Sequence, residues 1–228
     1  MQFAQPACIL WDWDNTLVDG WGAIQHGLNV TFREFGMPEW DRATVLARVR
    51  GSLRDTFPGM FGAEWERARD VFYGAVRACH LDVLSPMPGA AAAIAAAGAF
   101  GPQAVISNKQ GPLLRAEALH LGWSGHFAAL VGAGDAAADK PDPAPFAMAL
   151  ASCGIDAGAA VWYVGDTAMD MQAARAAGCT AVLVGGAPHD GGLAHAMPDI
   201  AFDDAHALAK ALAGTATRSA IGALRAQA

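Results

Sequence analysis

The chain opens on an apolar run, residues 7–11, that two carboxylates two residues apart, Asp12 and Asp14, bring to an end, with Thr16 following. A short continuous apolar run with polar residues at its end predicts a strand buried on both faces. From Trp21 the spacing changes. Ile24, Leu28, Phe32 and Phe35 form a single helical stripe that stops at Gly36 and Pro38. A second helix is predicted over 41–50 and a third over 63–84, with Trp65, Ala68, Val71, Phe72 and Val76 on its inner side and a loop over 51–59 between the two. A crossover between parallel strands needs only one helix, so this surplus predicts an inserted helical domain over 20–85.

Pro86 and Pro88-Gly89 mark the return to the main body, which comprises 1–19 and 86–228. There the pattern alternates. Helices over 90–97, 112–121, 143–153 and 169–177 lead to strands over 103–107, 127–131, 160–164 and 180–184, followed by a short strand over 199–202 and a helix over 205–212. Alternation of this kind predicts an α/β fold, a Rossmann-like parallel sheet with helices on both faces. The tail from Gly214 has weak periodicity and is expected to be partly disordered.

With 228 residues the chain can bury a substantial core. Its net charge of −7 argues against a sequence-independent grip on nucleic acid or on an anionic membrane, because both need a basic field. Cys8, Cys79, Cys153 and Cys179 are far apart, lack any C-x-x-C pairing and read as reduced cysteines of a cytoplasmic protein. Residues 1–7 lack the basic region of a signal peptide, and the longest apolar run, 89–100, is too short to span a bilayer.

A D-x-D alone does not distinguish a site from a solvated strand end, but three more polar junctions follow in order. They are Ile106-Ser107-Asn108, Asp139-Lys140-Pro141 and Gly165-Asp166-Thr167-Ala168-Met169-Asp170. In a parallel sheet every strand's carboxyl end faces the same edge, where ligands bind. Asp12, Asp14, Ser107 and Asp166 are therefore expected to converge, with Lys140 and Asp170 on the loops beside them. Several carboxylates held together repel one another, and one ammonium cannot neutralise them all. A hard divalent cation with oxygen ligands, Mg²⁺, resolves the conflict. A metal, an ammonium and a hydroxyl aimed at one point suit a phosphoryl group.

These motifs resemble those of the haloacid dehalogenase superfamily, in its phosphatase branch with a helical cap inserted after the first strand, over roughly residues 7–212. The resemblance implies Asp12 as the nucleophile that takes the phosphoryl group, and Asp14 as the acid and then the base. It implies Thr16, Ser107, Asn108 through its backbone and Lys140 as the groups around the phosphate. Asp12, Asp166, Asp170 and Asp14, the last through its main-chain carbonyl, are implied around the metal, with Asp170 alternatively orienting Lys140. A halide leaves without a proton, so retention of Asp14 separates a phosphatase from a dehalogenase. Asn15 stands where the family usually has glycine, and asparagine tolerates the left-handed backbone better than most residues.

Within that superfamily, Ser107-Asn108-Lys109, the helical cap and Lys140-Pro141-Asp142-Pro143 look closest to phosphoglycolate phosphatases. Arg50 and Arg54 offer two guanidiniums suited to clamp a substrate carboxylate or second phosphate, with solvated helix-end charges as the competing reading. His189 and His195 lack a third spaced ligand and are expected on a surface loop. Trp13 is expected to pack away from the metal, and Asp19 and Asp55 to be solvated. The expected partner is a small phosphorylated metabolite, for a monomer or homodimer. A phosphoglucomutase-type phosphoryl transferase and a non-catalytic binding protein are the alternatives.

Overall fold

The computed structural model describes residues 5–49 and 53–226, with side chains except those of 53–55 and 216–226. In chain order, Cys8–Trp11 (β1) and Val18–Asp19 (β2) precede four helices, Trp21–Glu34 (α1), Arg42–Arg48 (α2), Leu53–Phe61 (α3) and Trp65–Cys79 (α4). Ser85–Pro86 (β3), Ala90–Ala97 (α5), Gln103–Gln110 (β4), Gly111–His120 (α6), Ala129–Ala133 (β5) and Ala144–Cys153 (α7) follow. Val161–Gly165 (β6), Ala168–Ala176 (α8), Thr180–Val184 (β7), Gly192–Ala196 (α9), Ile200–Phe202 (β8) and Ala205–Ala226 (α10) complete the order. The chain divides into two compact units, one of residues 1–18 with 86–228 and the other of residues 19–85.

The first unit is built on a six-stranded sheet of order β5-β4-β1-β6-β7-β8, in which all pairings are parallel. The chain runs outward from β1 to β4 and β5, then crosses back to β6, β7 and β8, so the strand order reverses at β1. A central strand is covered on both faces, and all four β1 residues are buried. Cys8 and Leu10 join one core with Ile106, Phe146 and Leu150 beside α7, and with Tyr163, Met171 and Leu183 beside α8. Trp11 instead donates its indole N–H to Gln103 Oε1, and Gln103 Nε2 donates to the Ile94 carbonyl of α5, so the buried amide is satisfied at both ends.

The second unit is helical and holds itself together through aromatic rings. Phe57 lies 4.9 Å from Phe61 and 5.7 Å from Phe72, and Phe61 meets Phe32 and Phe35. This packing explains why α3 occupies the segment expected as a loop over 51–59, of which 50–52 lie outside the described residues. Pro58 sits inside α3, where it removes a backbone donor, but burying Phe57 completely outweighs that local penalty. The helix expected over 63–84 stops earlier, at Cys79, because the Asp82 and Val83 N–H groups both turn back to the Cys79 carbonyl.

Two further expectations are corrected in the first unit. The tail continues α10 to Ala226, since an alanine-rich sequence keeps helical propensity beyond the part anchored by Leu208 and Leu212. The segment expected as surface loop carries the short α9, on which His195 is exposed. No helix among the described residues is long and apolar enough to cross a membrane.

Candidate active site

The register of β1 sets the site. Trp11 is paired with Val105 on one side and Val164 on the other, and the Asp12 N–H donates to the Val164 carbonyl at 2.8 Å. Asp12 therefore emerges between Ser107 of β4 and the end of β6, where Asp166 follows. Beyond Asp14 the chain must turn at once, and Asn15 does so with φ of +64°. The turn is closed by the Leu17 and Val18 N–H groups, which both donate to the Trp13 carbonyl. At the end of β6, Gly165 is required by close approach, because a Cβ there would overlap the Asp170 side chain.

Lys140 ties the buried acids together. Its Nζ donates to Asp12 Oδ1 at 2.7 Å, to Asp170 Oδ1 at 2.8 Å and to the Tyr163 hydroxyl at 2.8 Å. The Tyr163 hydroxyl itself donates to the Ile106 carbonyl at 3.0 Å. Asp170 Oδ2 accepts from the Thr167 hydroxyl at 2.6 Å and from the Thr167 N–H, while the Thr167 hydroxyl oxygen accepts from the Asp170 N–H. This reciprocal cap begins α8 and leaves both Asp170 oxygens engaged. Thr16 donates toward Asp166 Oδ1 at 3.1 Å and lies 3.4 Å from Asp12 Oδ2. Asn108 clasps the Lys140 backbone, accepting from its N–H at 2.9 Å and donating to its carbonyl at 3.0 Å.

Asp14 belongs to a second arrangement. Its Oδ1 accepts from Lys109 Nζ at 2.7 Å, and the same ammonium donates to Glu117 Oε2 at 2.6 Å. Glu117 also accepts the Trp13 indole N–H at 2.7 Å. Trp13 is fully buried and edge-on to Trp123 at 6.0 Å, the packing role expected of it. Ser107 is buried, and its hydroxyl accepts from the Lys109 N–H at 3.1 Å.

The electrostatics follow from this geometry. Burial pushes the Asp12 carboxyl up to about 7, with Asp170 adding to the rise and Lys140 opposing it. Burial, then Asp170 and Asp12, push Asp166 well above the usual carboxylate range. Burial also raises Asp14, against the pull of Lys109. Asp170 goes the other way: burial would raise it, but Lys140 and the Thr167 hydrogen bonds together hold it below its ordinary value. Lys140 is raised, because Asp12 and Asp170 outweigh the opposing effect of burial.

Oxygens of Asp12, Asp166 and Asp170 lie within 4.8 Å of one another. Carboxylates crowded this way, two of them pushed toward their protonated forms, form an all-oxygen donor set that suits a hard divalent cation. The structure thus brings together Asp12, Thr16, Ser107, Asn108, Lys140, Asp166 and Asp170, with Asp14 two residues from Asp12. Arg54 lies on α3, but its side chain is outside the described residues, as is all of Arg50. Sequence reasoning assigned no role to Tyr163, Glu117 or the Lys109 ammonium. Glu117 did leave a signal, since it falls on the same inner face of α6 as Leu113 and Leu114.

A parallel sheet with its carboxylate cluster at the strand-order reversal defines the class of α/β protein. The match of residues 9–184 to the model of haloacid dehalogenase-like hydrolases defines the family. The chain belongs to the haloacid dehalogenase-like hydrolase family. It is 32% identical to the phosphoglycolate phosphatase of Rhodospirillum rubrum over 192 residues, 78% of this chain and 79% of that one. It is 29% identical to the phosphoglycolate phosphatase of Chromobacterium violaceum over 195 residues, 81% and 87% of the two chains. In fold it is similar to a haloacid dehalogenase-like family hydrolase of Streptococcus pneumoniae, with TM-score 0.79, 22% identity and coverage of 92% and 98%. It is also similar to CbbY of Rhodobacter sphaeroides, solved in complex with phosphate, with TM-score 0.74, 20% identity and coverage of 90% and 96%.

Proposed function

We propose that this protein is a Mg²⁺-dependent phosphatase that hydrolyses a small phosphate monoester through an aspartyl-phosphate on Asp12. The observation that carries the reading is Asp12 itself, a buried carboxylate gripped at one oxygen by Lys140 and grouped with Asp166 and Asp170. Asp12, Asp166 and the main-chain carbonyl of Asp14 would hold the ion, while Asp170, engaged on both oxygens, serves to orient Lys140. When bound, the divalent ion supplies positive charge that offsets the repulsion between an anionic nucleophile and an anionic phosphate.

Asp12 attacks phosphorus, and as that bond forms the phosphorus–oxygen bond to the alcohol breaks. Asp14 gives its proton to the departing oxygen. Burial raises Asp14, which favours the protonated form needed at that step. Asp14 then takes a proton from water, whose oxygen attacks the phosphorus, and Asp12 is released with inorganic phosphate. Lys140 steadies the nucleophile and the charge that develops on the phosphoryl oxygens, with the Ser107 hydroxyl and the Thr16 hydroxyl beside them. Relatives named phosphoglycolate phosphatase favour a small carboxylated phosphate ester as the substrate.

The test is a screen of small phosphate esters, with and without Mg²⁺, scored for released phosphate. Asp12→Asn is expected to abolish release, and EDTA to stop it until Mg²⁺ is restored. Release that persists in Asp12→Asn, or in EDTA, would overturn the reading.

A further inference from the structure

We propose that Lys109, anchored on Glu117, is the positioning residue that fixes the Asp14 carboxyl for proton transfer to the leaving group. The inference rests on the phosphatase reading above, in which Asp14 is the general acid.

Four groups form one chain of contacts. Lys109 Nζ bridges Asp14 Oδ1 at 2.7 Å and Glu117 Oε2 at 2.6 Å, and Glu117 Oε2 in turn accepts the Trp13 indole N–H. The Lys109, Glu117 and Asp14 side chains are 11%, 1% and 22% exposed, so the anchored end of the bridge is shielded from water and the Asp14 end less so. Trp13 immediately precedes Asp14 and is packed against Trp123, so the anchor returns to the same loop that carries the acid. Two lysines thus divide the D-x-D between them, with Lys140 on Asp12 and Lys109 on Asp14.

A buried ion pair is a poor device for stability, since desolvating the charges cancels most of their attraction and apolar residues of similar volume do as well. What an ion pair supplies is a fixed place for a carboxylate. Without Lys109, Asp14 would rotate freely about its side-chain bonds. With Lys109 on Oδ1, the proton-carrying oxygen is Oδ2, in one orientation. Misplacing a reacting group by about 1 Å costs on the order of 10²-fold in rate. The bond from Asp14 Oδ2 to hydrogen breaks as the bond from hydrogen to the alcohol oxygen forms, and Lys109 keeps its own protons throughout.

The experiment compares two esters that differ in their need for a proton. p-Nitrophenolate leaves as a stable anion, whereas the alkoxide of glycerol 2-phosphate requires protonation. Asp14→Asn sets the reference, losing far more on the alkyl ester than on the aryl ester in kcat/KM, which reports the steps up to departure of the alcohol and not the hydrolysis that both esters share. Lys109→Met should copy that pattern, its loss in kcat/KM on glycerol 2-phosphate exceeding its loss on p-nitrophenyl phosphate by about tenfold or more, within the range general acids contribute. Should Lys109→Met fail to fold because Glu117 keeps its charge without the Lys109 ammonium, Lys109→Met combined with Glu117→Gln removes both charges and keeps an acceptor for Trp13. That double variant should give the same pattern. Equal losses on both esters would overturn the proposal and leave the pair a structural one. If Asp14→Asn itself shows no difference between the esters, the general-acid reading fails, and the proposal with it.

Discussion

Asn15 is held at φ of +64°, and its Oδ1 is buried without a hydrogen-bond partner among the described residues. A left-handed backbone costs an ordinary residue roughly 1–2 kcal/mol, and asparagine and glycine less. Asn15→Ala should therefore be less stable than Asn15→Gly by about 1 kcal/mol or more in urea unfolding with EDTA present; equal stabilities would show that the turn relaxes. The same scale shows which site residues a sequence can reveal. Asp12, Ser107 and Asp166 were legible because each ends an apolar run, and parallel strands deliver such ends to one edge. Thr16 and the Asn108 backbone are expected around phosphate, and their side chains bond to neighbouring site residues, that of Asn108 to the Lys140 backbone. Tyr163 was hidden within an apolar run, where a phenol reads as one more ring until its hydroxyl is seen on Lys140. Glu117 stood out only as an acid on the inner face of α6, and its role was hidden because Lys109 and Trp13 come from other parts of the chain.

Between elements, small residues set how closely backbones approach. In the helical unit, a Cβ on Gly27 of α1 would lie 2.7 Å from Val76 Cγ2 and 2.8 Å from the Phe72 ring of α4. Replacing glycine with alanine inside a helix ordinarily gains about 1 kcal/mol. Overpacking a filled contact costs about 1–3 kcal/mol, so the clash should win. Gly27→Ala is expected to destabilise the helical unit, read as a lower midpoint in thermal or urea melts followed by circular dichroism. A raised midpoint would mean that the two helices part easily. The sequence signals for α1 and α4 were strong because each carries a full apolar stripe. The signals for α3 pointed to a loop because Pro58 and Gly59 are local cues, whereas what makes the segment helical is the set of rings it meets from α1 and α4. In the sheet, strand order was not legible at all. Alternation predicts parallel pairing, but the reversal at β1 depends on which strands meet in space.

For the molecule as a whole, the site carboxylates tie stability to pH and to metal. A carboxyl whose folded value is raised keeps its proton over a range in which the unfolded chain has lost it. The folded protein then binds more protons, and its stability falls as pH climbs through that range. For Asp12 the range runs from the ordinary carboxylate value up to about 7, with burial the main cause. Asp166 acts in the same direction. Asp170 acts oppositely: its depressed value adds stability above the ordinary carboxylate range, and that contribution is already complete at mildly acidic pH. Between about pH 5 and about pH 8 the raised groups therefore decide the slope. In EDTA the melting temperature should fall across this window. A divalent ion binds the deprotonated carboxylates and competes with their protons, so it stabilises the folded state more where those protons are weakly held. Addition of Mg²⁺ should raise the melting temperature at both ends of the window, and by more at about pH 8 than at about pH 5. Scanning calorimetry at the two pH values, with EDTA and with Mg²⁺, separates the outcomes. A melting temperature in EDTA that rises with pH, or a Mg²⁺ gain that is larger at the acidic end, would mean that these acids are not crowded as the structure has them.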